Sequence, residues 1–70
     1  MQISLLILPG RGQGTETAAP NCSLQQFAED HNITNRNLLI NGRTIPRNAW
    51  STTYLAHGQE VSALEEVKGA

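Results

Sequence analysis

Few side chains in this chain are equipped for covalent or coordination chemistry, and they are far apart. There is one cysteine, Cys22, and there are two histidines, His31 and His57. Cys22 falls just before an expected helix start, where the helix dipole favours a thiolate. A reactive thiol is one reading and a small packing residue the other; with no histidine near it in sequence to act as base, packing is preferred. His31 reads as a helix C-terminal cap and His57 as a turn residue. Three such side chains, so dispersed, do not make the ligand set of a zinc site, and neither a metal nor another cofactor is expected.

The run Gly10-Arg11-Gly12-Gln13-Gly14 follows a strand, as a phosphate-cradling loop would. It has neither the GxGxxG spacing nor a P-loop lysine, and no capped helix follows it directly. It reads as a hairpin tip. The other candidates are binding groups. Arg43 and Arg47 flank Pro46, with Arg36 just before them: a docking patch for an acidic partner, or ordinary solvated charge. Glu65, Glu66 and Lys68 allow the same two readings. Leu6, Leu39 and Leu64 fall on the strand face away from the helix, where they would form an exposed apolar patch. Lys68-Gly69-Ala70 follow the last apolar residue, Val67, and are expected to project into solvent.

The elements that must position these residues belong to one small domain, since the chain has 70 residues. That length excludes a multi-part enzyme. Five Lys and Arg against six Asp and Glu, a net charge of -1, supply no field for a polyanion, so nucleic acid is not an expected partner. The apolar run Ile3 to Leu8 is too short to cross a membrane and has no basic flank. A lone cysteine and no disulfide point to a reducing compartment, the cytoplasm.

Met1 to Leu8 reads as an inner strand, stopped by Pro9 and the glycines, with Thr15 to Ala19 as its hairpin return. Ser23 and Gln26 fit a reciprocal capping box. Leu24, Phe27 and Ala28 then give a helical stripe of about two turns that closes near His31-Asn32. Asn37 to Ile40 and Arg43 to Ile45 are strands joined by Asn41-Gly42, the dipeptide best suited to a type I′ turn. Pro46 ends the second strand. Arg47 to Trp50 forms one helical turn that folds Trp50 onto the core, and Gln59 to Val67 is the last strand, with Val61 and Ala63 on one face. Periodicity alone supports a small α+β domain.

The order of elements resembles a ubiquitin-like β-grasp: a mixed four- to five-stranded sheet on one helix, its first and last strands parallel and central. The expected division is a domain over 1–67 and a flexible tail over 68–70. The stretch Asn41-Gly42-Arg43-Thr44-Ile45-Pro46-Arg47-Asn48-Ala49-Trp50, with Met1-Gln2-Ile3, Leu24 to Phe27 and His57-Gly58-Gln59-Glu60-Val61, resembles the ubiquitin-like sulfur-carrier family of thiamine biosynthesis (ThiS) over nearly the whole chain. The resemblance implies a carrier, not an enzyme. An E1-like, ThiF-type partner would adenylate its C-terminal carboxylate with ATP, sulfur would displace AMP to leave a thiocarboxylate, and a thiazole synthase would receive the sulfur. Gly69 matches the family's penultimate glycine, and Ala70 stands where the family has its terminal glycine. Three explanations stay open: the partner accepts alanine, Ala70 is trimmed, or the protein docks without being activated. The last corresponds to a second function, a non-conjugated interaction module in a phage or regulatory setting. It would bind an unknown protein through Leu6, Leu39, Leu64 and the Arg43/Arg47 hairpin.

Overall fold

Alternation in the first strand sends Ile3 and Leu5 into the core while Gln2, Ser4 and Leu6 turn the other way. The computed structural model describes residues 1–65. It contains strands β1 (Gln2–Leu8), β2 (Gly12–Thr17), β3 (Asn37–Ile40), β4 (Arg43–Ile45) and β5 (Glu60–Leu64), a helix α1 (Leu24–Asp30) and a 3-10 helix over Arg47–Thr52. The sheet order is β2-β1-β5-β3-β4. β1 and β5 run parallel, and every other neighbouring pair is antiparallel. This is the expected β-grasp.

A seven-residue helix has little stability alone. α1 persists because Leu24, Phe27 and Ala28 bury against the sheet and because its first turn is capped, Gln26 N donating to Ser23 Oγ at 3.1 Å. Only half of the expected capping box forms. The Gln26 side chain donates to Asp30 Oδ1 at 2.8 Å, one turn on, instead of reaching back to Ser23. The other end of the core is closed by Trp50, 2% exposed, whose Nε1 donates to Ile45 O at 2.9 Å. The indole therefore buries its large surface without orphaning its one donor.

The β3–β4 turn forms as its sequence demands, with φ of 50° at Asn41 and 85° at Gly42. Asn41 also staples the turn to β5: its N–H donates to Glu60 O at 2.8 Å, and its Oδ1 accepts from Glu60 N at 3.0 Å.

Two strands differ in extent from expectation, and the 3-10 helix runs on past the expected Trp50 to Thr52. β2 begins at Gly12, not Thr15, and ends at Thr17. Gly12 and Gly14 pair with Ile7 and Leu5, and the space a side chain would fill at Gly14 is taken by the Arg11 guanidinium, whose Cζ lies 3.6 Å from the Cβ position. Glycine here makes room for a neighbour and does not loosen the ladder. The regular pairing of β5 spans Glu60–Leu64, shorter than the expected Gln59 to Val67; of that expected span, residues 66 and 67 lie outside the described residues.

Candidate protein-docking site

The sheet face away from α1 is assembled by strand register. Ser62 on β5 lies between Leu6 on β1 and Leu39 on β3, and Leu64 lies between Leu8 and Asn37. Leu6 and Leu39 flank Ser62 across the strands, and Leu64 follows it and Glu60 precedes it along β5; Ser62 is only 8% exposed. Leu6, Leu39 and Leu64 are half-buried, and Leu8 is 46% exposed. The three leucines singled out from the sequence are brought together, and Leu8 joins them. The Leu6/Leu8 alternation was the signal for it, since both residues share a strand face.

The arginines divide. Arg43 pairs with Ile40, so it shares the helix-side face of the sheet and lines a groove with Ile40, Ile45 and Tyr54. It does not belong to the leucine face, contrary to the expected combination of that face with an Arg43/Arg47 hairpin. The reason is parity: three residues of β4 set Arg43 and Ile45 to one side and Thr44 to the other. Arg47 lies over the Trp50 ring, 4.7 Å from its centroid, and donates to Thr34 O and to Arg36 O at 3.5 Å. Arg36 Nη1 donates to Leu8 O at 2.9 Å. Two of the three guanidiniums therefore bind the 34–36 segment to its neighbours, so a docking patch made of all three does not form.

The same Leu8 carbonyl accepts from Glu65 N at 3.0 Å. This marks where the chain leaves the sheet, beside the Leu8–Leu64 pair. Lys68, Gly69 and Ala70, the expected tail, lie outside the described residues.

No nucleophile and base meet among the described residues. Cys22 is buried, and its Sγ donates to Ser23 O at 3.4 Å. Burial first, and the charge of Asp30 second, push its thiol above the ordinary cysteine value, opposite to the helix-dipole expectation. His31 caps α1, with Nδ1 2.9 Å from Phe27 O and its ring against Phe27 at 4.2 Å. His57 Nδ1 accepts from Gln2 N at 3.0 Å. Among the described residues, no group of three His, Cys, Asp or Glu side chains gathers as a metal site would need, and no helix is long and apolar enough to cross a membrane.

No protein-family model matches this chain, and no curated protein does. Among solved structures, it is similar to a chain of the protein-protein complex of subunit 1 and 2 of molybdopterin-converting factor from Helicobacter pylori, with a TM-score of 0.71 and 16% identity, all of both chains being covered. At that identity the likeness shows the fold, and the fold is a ubiquitin-like β-grasp.

Proposed function

We propose that the protein is a ubiquitin-like sulfur carrier of the ThiS-like kind, working in the cytoplasm and supplying no catalytic group of its own. In the first step its C-terminal carboxylate oxygen attacks the α-phosphorus of ATP on an E1-like, ThiF-type enzyme, and pyrophosphate leaves. A sulfur nucleophile then attacks the acyl carbon, AMP leaves, and a thiocarboxylate remains for a thiazole synthase to use. In this reading residues 1–67 dock and 68–70 deliver the carboxylate, with Gly69 offering no side chain to a narrow active site.

The observation that carries the proposal is the exit of β5 beside the leucine face. A partner that covers Leu6, Leu39 and Leu64 meets the chain as it leaves Leu64, with Lys68 as a candidate polar contact. The similar fold in a two-subunit complex supports docking on a protein partner. That neighbour is named for molybdopterin conversion, so the thiamine assignment rests on the sequence resemblance.

The test is intact-mass analysis of the parent and of Ala70→Gly after incubation with ATP, a sulfur donor and a family adenylating enzyme. The expected product gains the mass difference of one oxygen exchanged for sulfur, faster in the glycine variant, and deletion of Gly69-Ala70 abolishes it without loss of stability. If parent and variant both bind the enzyme and neither is adenylated, the carrier reading fails. The alternative, an interaction module, then replaces it, favoured by a leucine face that is complete in the sheet whatever the tail does.

A further inference from the structure

On the helix side of the molecule, opposite the leucine face, two grooves of about 380 Å³ each meet at one residue, Tyr54. One runs between the β3–β4 hairpin and Tyr54, with Ile40 and Ile45 as apolar lining and Arg43 at its rim. The other runs between α1 and the 3-10 helix, with Gln26, Asp30 and Ser51 along it. Tyr54 is 62% exposed. An exposed aromatic by itself means little, but this one stands on a fixed backbone. Leu24 N donates to Thr53 O at 2.7 Å, and Leu55 N donates to Cys22 O at 2.8 Å. Thr53 Oγ1 also donates to Ala49 O at 2.7 Å. With the backbone already fixed, covering Tyr54 costs only the freedom of a side chain with two rotatable bonds, as suits an interface anchor.

The charges on the two sides of Tyr54 are opposite. Arg11 is paired with Glu16, and Arg36 and Arg47 are spent on backbone carbonyls. Arg43 has no hydrogen-bond or ion-pair partner among the described residues. Across Tyr54, Asp30 receives one bond from Gln26 on Oδ1 and keeps further acceptor capacity. The complement of a cation, an aromatic anchor and an anion in one trough is an extended segment carrying an acid, a bulky apolar side chain and a base, in that order across the surface.

We infer that Tyr54 anchors a second interaction surface, which takes an extended protein segment with its acidic side chain on Arg43, an apolar one against Tyr54 and a basic one on Asp30. This surface is independent of the tail and of the carrier reading.

The test titrates the isotope-labelled full chain with two capped heptapeptides, one with glutamate, central phenylalanine and lysine, the other with the charges exchanged, and reads backbone amide shifts. One order should give saturable shifts at Gln26, Arg43, Thr53 and Tyr54. Tyr54→Ala should weaken that peptide by about tenfold or more, with native Trp50 emission showing that the variant folds. Arg43→Glu should weaken it too, and a peptide whose glutamate is replaced by lysine should recover affinity for that variant. The proposal is overturned by no saturable shift up to about 1 mM peptide, by shifts that fall on Leu6, Leu39 and Leu64 instead, or by an Arg43→Glu variant that binds both peptides like the parent.

Discussion

On the helix side of the sheet Ile3, Leu5, Leu38, Val61 and Ala63 are sealed from water, while one residue along the same strands Leu6, Leu39 and Leu64 are half-buried and Leu8 is 46% exposed. The side chains are of one kind, and what differs is the second layer. α1 and Trp50 cover one face, and among the described residues no helix or strand covers the other. Burial of apolar area stabilises by about 25 cal/mol per Å², so the inner face holds the fold. The outer face keeps part of that free energy for whatever covers it, which is why it is the docking candidate.

The contrast breaks most easily at Trp50. Trp50→Ala removes the largest buried side chain and the indole N–H that donates to Ile45 O. The expected cost is about 3–5 kcal/mol, read from urea denaturation, with a blue-shifted native tryptophan emission in the parent. A cost no larger than that of truncating Leu39 would mean that the two faces carry the fold equally.

Next in size is the turn that keeps the faces apart. Gly42 has φ of 85°, and a side chain there is strained by about 1–2 kcal/mol. Gly42→Ala should therefore lower the urea midpoint, even though no atom lies within 4 Å of the added Cβ. Were the turn to relax and β3 to slip by one residue, Leu38 and Leu39 would exchange faces, and the change would show as altered amide shifts along β3. Unchanged stability would remove the backbone argument.

Leu39→Ser is the converse. On the uncovered face it should change stability by less than about 1 kcal/mol while weakening capture by an adenylating enzyme in a pull-down. Unimpaired capture would move the docking surface away from the leucines.

How much of this was legible follows from how local each cause is. Asn41-Gly42, the Ser23 cap and the Leu24/Phe27/Ala28 stripe act within a few residues, and each formed where the sequence placed it. The parallel β1–β5 pair was accessible through the order of elements, since periodicity holds no information on strand order. What escaped depends on contacts distant in sequence or on parity. Glycine-rich Gly12 to Gly14 enters the ladder because Arg11 folds over it towards Glu16. Arg43 takes the helix side because β4 has three residues and a fixed register. Tyr54 becomes a platform through its bridge to Ser23, more than thirty residues away. The Cys22 thiol is governed by burial from the whole core, which outweighs the local dipole.

The smallest effect concerns the rim of the inner face, where Glu16 lies on the helix side of β2. Its Oε1 accepts from Arg11 Nη1 at 2.8 Å, with His31 Nε2 3.7 Å away. The hydrogen bond from Arg11 is the main cause that holds the Glu16 carboxyl below its ordinary value, with the charges of Arg11 and His31 acting the same way. A folded-state value below the unfolded one means that the carboxylate contributes stability above the unfolded value and loses it as pH falls through the folded one. Parent and Glu16→Gln should therefore differ in urea midpoint at neutral pH, the parent being higher. The two curves should converge on the acid side of the ordinary carboxylate range, and added salt should narrow the neutral gap because the pair is open to solvent. If the variant follows the parent at every pH, the rim pair contributes nothing to the inner face, and apolar cover from α1 and Trp50 alone separates the two sides of the sheet.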